Sequence, residues 1–304
     1  MSEMYGYGFG AMATGTDTYV VGTETSLEDD DVEHAVVFEL AQGKWTGWSA
    51  NFRVAAVAYA PRIKTVFLVG QNGGIEATTA VKTWDEVIDP SGNGPSSLRA
   101  INGACAVGEH VYAAGMRRQV YRRALDAKTW SRFDNGCFSD PAVSTEIVGF
   151  NAIHGLDEAE LFAVGLRGEI WCCAAGLWRA LDSPTNTSLY TVRCLPGGEV
   201  LIGGGLGVLL RGSAKGFVSI EHEATNAPIT GIARFAGRTF VADENGRLFD
   251  LVGDKLVPVT EVPPPDEGGG QLDANDSALI FVRNDVAYLF DGKTWQDRTP
   301  PDKP

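Results

Sequence analysis

An all-β fold built from seven copies of one antiparallel four-stranded repeat is predicted by three features of the sequence. A short apolar segment recurs and ends at Gly22, Gly70, Gly115, Gly165, Gly204, Asp243 and Arg283. A Trp or apolar residue follows each, at Trp45, Trp84, Trp130, Trp178, Phe217, Leu256 and Trp295. From the second repeat to the seventh the two markers stay 14, 15, 13, 13, 13 and 12 residues apart, and only the first departs, at 23. Gly or Asn-Gly lies just after the first marker, as in Asn72-Gly73, Arg167-Gly168 and Asn245-Gly246, where a tight hairpin needs positive φ. Segments this short and this rich in Val, Ile, Phe, Tyr and Trp are strands, not helices.

Each repeat reads as strands a, b, c and d. In the third, a spans 100–107, b 110–114, c 119–122 and d 129–133; in the fourth the same strands fall at 150–154, 161–165, 169–172 and 177–181. The repeats run 1–49, 50–97, 98–142, 143–186, 187–226, 227–266 and 267–304, about 43 residues each. A four-stranded sheet of this kind cannot cover both of its faces alone, so consecutive sheets pack face to face as blades around an axis. The expected fold is therefore a seven-bladed β-propeller, one domain over residues 1–304. Its first blade is expected to pack on its seventh. The run Pro263-Pro264-Pro265-Asp266-Glu267-Gly268-Gly269-Gly270 cannot be regular strand and reads as a surface loop.

Within this frame the chain resembles known propeller repeat families. Gly292-Lys293-Thr294-Trp295 and Lys128-Thr129-Trp130 resemble the Asp-box turns of BNR-type propellers, and Tyr19-Val20-Val21-Gly22 with Lys44-Trp45 resembles a kelch unit. The Trp-Asp dipeptide of the WD40 group occurs once, at Trp84-Asp85. The BNR resemblance implies a sialidase or other glycosidase, or a lyase, acting at the central channel. Its early arginine motif has one candidate, Phe52-Arg53-Val54-Ala55, which lacks the expected Pro. Photosystem assembly factors have similar blades but carry targeting sequences not seen here.

Composition narrows the function further. The 304 residues are 44% apolar with 37 glycines, enough for a large core and many tight turns. Met1-Ser2-Glu3-Met4-Tyr5-Gly6 lacks the basic-then-apolar pattern of a signal peptide, and no apolar run reaches the roughly 18 residues of a membrane helix. A cytoplasmic location is expected. Cys105, Cys137, Cys172, Cys173 and Cys194 contain no CxxC pair and read as buried thiols. His34, His110, His154 and His222 lie in different repeats without metal-ligand spacing. Gly203-Gly204-Gly205-Leu206-Gly207 leads from strand to strand, with no helix start to hold phosphate, so it reads as a hairpin. No catalytic set, metal or cofactor is expected.

In an up-and-down blade the b-to-c turns and d-to-a crossovers emerge on one face. The long segments, 23–34, 89–97, 135–145, 181–188 and 263–270, fall in that set, the usual place for function on a rigid scaffold. The first of them holds six carboxylates and no cation between Glu24 and Glu33. Residues 1–49 have nine acids against one base, and residues 227–304 thirteen against eight, whereas residues 98–142 sum to +3. A field of that sign repels nucleic acid and anionic lipid and draws in a basic protein. The candidate binding residues are Glu24, Glu28, Asp29, Asp30, Asp31, Glu33, Asp266 and Glu267, with Arg117 and Arg118 of the Arg-rich third repeat as a second group. Calcium on Asp29, Asp30 and Asp31 is an alternative, although the spacing and Gly of an EF-hand loop are missing. An acidic, stand-alone, unsecreted binder resembles an immunity protein, which implies a basic toxin such as a nuclease as partner, held as a monomer or 1:1 complex.

Overall fold

The structure, a computed structural model, describes residues 5–301. The amino-terminal residues 1–4, on which the signal-peptide reading partly rests, lie outside them. Seven four-stranded antiparallel sheets follow one another, each with its strands in sequence order, and the fold is a seven-bladed β-propeller. Blade 1 comprises Tyr5–Met12, Thr18–Glu24, Ala35–Ala41 and Lys44–Ala50; blade 2 comprises Val54–Ala60, Thr65–Gly70, Gly74–Thr79 and Lys82–Val87. Blade 3 is built from Ile101–Val107, His110–Gly115, Val120–Ala124 and Ser131–Arg132, and blade 4 from Phe150–Asp157, Glu160–Gly165, Ile170–Ala174 and Leu177–Leu181. Leu189–Cys194, Val200–Gly204, Leu209–Ser213 and Gly216–Ser219 form blade 5. Ile229–Phe235, Arg238–Asp243, Leu248–Val252 and Lys255–Pro258 form blade 6, and Gln271–Ala274, Leu279–Val282, Ala287–Phe290 and Trp295–Asp297 form blade 7. Two short helices that the sequence reads as loop, Thr25–Asp29 and Pro95–Leu98, interrupt the pattern. No helix among the described residues is long and apolar enough to cross a membrane.

The recurring apolar segment is strand b, and its lack of alternation has a simple cause. Thr65–Gly70 and Val200–Gly204 are buried along their whole length, because both faces of the strand are covered. Strand d is the opposite case: Lys82–Val87 is mostly exposed. The Gly that ends strand b is required by close approach to strand a. A Cβ at Gly165 would stand 1.8 Å from the Gly149 carbonyl oxygen, and one at Gly115 2.2 Å from that of Ala100. Strand a is bulged at this level, where its register against strand b skips Asn102, Asn151, Tyr190 and Thr230. Three of these skipped side chains fasten their blade to the next one: Asn102 donates to the Phe150 carbonyl (3.0 Å), Asn151 to that of Leu189 (2.8 Å) and Thr230 to that of Gly270 (2.8 Å).

The chain divides into two compact units, a terminal one (Met1–Val54 with Glu221–Pro304) and a middle one (Ala55–Ile220). In the terminal unit, blades 6 and 7 share a core of Phe240, Leu279, Phe281 and Phe290, and blades 7 and 1 share one of Val20, Phe38, Ile280 and Val282. Blade 7 packs directly on blade 1. The Tyr7 N–H donates to the Asn284 carbonyl (2.8 Å), and the Asn275 amide donates to the carbonyls of Ala13 and Gly15. In the middle unit the same layering repeats with Phe67 and Val111 between blades 2 and 3, Phe150 and Leu161 between 3 and 4, and Phe162 and Ile202 between 4 and 5.

Candidate functional site

The acidic segment of blade 1 is a folded element. Strand b ends at Glu24, paired with Tyr5, and one helical turn follows over Thr25–Asp29. Thr23 Oγ1 donates to Glu28 Oε2 (3.0 Å), and Ser26 Oγ donates to Glu24 Oε1. The turn closes where the N–H groups of Asp31 and Val32 reach the carbonyls of Glu28 and Leu27. His34, buried at 6% exposure, clasps both ends. Its Nδ1 lies 2.7 Å from the Val32 carbonyl, and its Nε2 accepts the Glu24 N–H at 2.7 Å. In that pair of contacts Nδ1 serves as donor to the Val32 carbonyl and Nε2 as acceptor. Glu28, Asp29, Asp30, Asp31 and Glu33 are exposed, and Glu24 is half-buried. Among the described residues no group of His, Cys, Asp and Glu side chains could hold a metal ion.

Asp266 and Glu267 are also exposed, in the crossover between blades 6 and 7. This crossover is tied to the start of blade 1 through the b-to-c turn of blade 7. The Asn284 N–H donates to the Gly268 carbonyl, and the Asn284 carbonyl receives the Tyr7 N–H. Two further carboxylates lie along this row: exposed Glu244, whose carbonyl receives the Gly269 N–H, and half-buried Asp285. Sequence reasoning passed over both, although their places in b-to-c turns were the signal. The two cations on these turns are committed. Arg247 pairs with Asp243 (2.7 Å), and buried Arg283 donates to the Pro263 carbonyl and the Tyr288 hydroxyl. The terminal unit holds 24 acids against 10 bases, a net of −14, while the middle unit has 15 of each.

The arginines of blade 3 are spent internally. Arg117 Nη1 donates to the carbonyls of Ser144 and Glu146, pinning the crossover to blade 4. Arg118 forms a two-toothed pair with Glu169 (2.9 and 2.8 Å) and lies 5.0 Å from the Trp171 ring centre. Glu169 holds the Arg118 guanidinium above its ordinary pKa. Arg122 covers the Phe133 ring, and Arg123 is buried against Glu86. All five cysteines are buried and free. Burial pushes the thiols of Cys173 and Cys194 up to about 11 and about 12, which keeps them protonated and poorly nucleophilic. His154 accepts the Cys194 N–H at Nδ1 (3.2 Å), and burial pulls it down to about 3, so it stays neutral.

The fold is a β-propeller, and exposed carboxylates of the blade 1 segment and the 6–7 crossover belong to its terminal unit. No family model matches the chain. Among curated proteins, Immune protein Tsi7 of Pseudomonas aeruginosa is 28% identical over 284 residues, covering 91% of this chain and 92% of that protein. Among solved structures, the WD40 beta propeller domain of Doa1 matches with a TM-score of 0.69 at 8% identity, covering 96% of this chain and 95% of that one. YCF48 from Cyanidioschyzon merolae matches with a TM-score of 0.67 at 12% identity, covering 95% and 96%. At such identities the two structures speak to the fold alone.

Proposed function

We propose that this chain is an immunity protein, a cytoplasmic, non-enzymatic binder that neutralises an antibacterial effector toxin by covering its basic active site in a 1:1 complex. The observation that carries this reading is the similarity to Immune protein Tsi7, which extends over nearly the full length of both chains. The charge distribution supports a basic partner. Exposed carboxylates of the blade 1 segment and of the 6–7 crossover line one face of the terminal unit, and the two cations on the b-to-c turns of blades 6 and 7, Arg247 and Arg283, are paired or buried. Such a face speeds encounter with a cationic cleft and covers it sterically once bound. A nuclease, whose cleft must attract phosphate, fits that description.

The test is to search the genes beside this one for a secreted toxin, whose absence would count against the reading, and to co-express that toxin with this chain in a bacterial host. The chain is expected to restore growth, and the purified proteins to form a complex that suppresses the effector's activity. Growth arrest that persists at full expression of both proteins would sink the reading.

A further inference from the structure

Blades 4 and 5 pass from strand b to strand c through three-residue turns, Leu166–Gly168 and Gly205–Gly207. Their middle residues sit in the left-handed region, Arg167 at φ 56, ψ 31 and Leu206 at φ 56, ψ 29. Gly and Asn take this conformation most readily, and a branched apolar side chain is disfavoured there. Leu206 is nonetheless 77% exposed, with glycine on both sides of it and none at the place that needs one. Neither backbone preference nor burial accounts for the choice, and strain of this kind gathers at functional surfaces.

Its neighbours are equally uncommitted. Arg167 is exposed and makes no ion pair or hydrogen bond with any described residue, unlike Arg118 at the corresponding turn of blade 3. Tyr190 occupies the strand a bulge of blade 5, where blades 3 and 4 use Asn102 and Asn151 to fasten the next blade. Its side chain is 41% exposed instead, and its hydroxyl bonds no described residue. The three lie on one stretch of surface. A Cβ at Gly205 would meet Thr187 Cγ2 at 2.8 Å and Tyr190 Cε2 at 3.7 Å, and one at Gly168 would meet the Thr185 carbonyl oxygen at 2.0 Å. The crossover through Thr185 and Thr187 therefore joins the two tips.

We infer that Arg167, Tyr190 and Leu206 form a second docking surface, which receives an apolar side chain flanked by a carboxylate on the effector toxin. The identity of this partner rests on the immunity reading; the chemistry of the contact does not. An unpaired guanidinium offers a planar fork that matches a carboxylate, and Leu206 with the Tyr190 ring offers the apolar seat. Arg and Tyr are the residue types on which binding energy concentrates. This contact calls for a partner group opposite in sign to the one the acidic face selects.

The experiment is calorimetric titration of the inactivated effector encoded beside this gene into wild type, Leu206→Gly, Arg167→Gly and Arg167→Glu. Glycine relaxes the left-handed backbone, so both glycine variants are expected to melt at or above the wild-type temperature while Kd rises about tenfold or more. Arg167→Glu is expected to bind more weakly than Arg167→Gly, with the difference fading between roughly 0.05 and 0.5 M salt. Wild type that binds no effector overturns the immunity reading and this inference together. Wild type that binds, with glycine variants that bind equally well, overturns this inference alone. Arg167→Glu binding as well as Arg167→Gly removes the carboxylate, and a wild-type dimer dissolved by Leu206→Gly would give the surface to self-association.

Discussion

Glu86, in strand d of blade 2, and Arg123, in strand c of blade 3, have side chains only 2% exposed. Two parallel bonds of 2.7 and 2.8 Å join them, and the indole N–H groups of Trp84 (2.7 Å) and Trp130 (3.0 Å) complete the carboxylate's shell. Burial pushes the Glu86 carboxyl up, but donation from Arg123 and Trp84, the Arg123 charge and the Trp130 donor outweigh it, and the group ends below its ordinary value. A folded value below the unfolded one gives stability that is complete above the ordinary carboxylate range and lost as pH falls through the folded value. Glu86→Gln leaves a buried guanidinium without its counter-charge, which should cost about 3 kcal/mol at pH 7. Urea unfolding is expected to show this gap closing below about pH 4. A gap constant down to about pH 3 would mean that the pair adds no acid sensitivity. In the sequence Arg123 looks like one of four cations on a hairpin, because nothing local marks a partner 37 residues away.

At the scale of the element, the blade 1 segment shows what composition can and cannot convey. Six carboxylates in ten residues announce a negative feature. The helical turn and the His34 clasp are invisible in them, since both depend on where strands b and c bring residues 24 and 34 together. The clasp holds the ends of the segment while Asp29, Asp30 and Asp31 stay in water. Replacing those three with Ser should leave the melting temperature within about 2 °C, as exposed charges contribute little to stability. Effector binding should weaken about tenfold or more near 0.05 M salt, with most of the loss in the association rate. Stopped-flow association across a salt series checks this, and unchanged rates and salt slope would remove the acidic segment from the interface.

At the scale of the molecule, all of the net charge lies in the terminal unit, at −14, and the middle unit is balanced. Repulsion within that excess of 14 carboxylates over bases opposes compaction there and is screened by salt. The proposal that residues 1–304 form one domain leads to a single calorimetric transition, expected to move upward between roughly 0.05 and 0.5 M salt. Two transitions, with only one of them salt-sensitive, would mean that the two units melt as separate bodies.

The sequence by itself determined the number of blades, the strand order within each and the sign of the net charge. These follow from a period, from runs of apolar residues and from summed charge, all of which are local or additive. The markers at Gly115 and Gly165 were legible for the same reason, although their cause, a carbonyl of strand a at the place a Cβ would fill, became clear only in the fold. Tertiary structure alone decided which charges remain free. Arg118 and Arg167 occupy corresponding turns, yet one is consumed by Glu169 and the other faces solvent, because pairing depends on what the neighbouring blade sets within reach of the guanidinium. A sequence counts charges; only packing across blades cancels them.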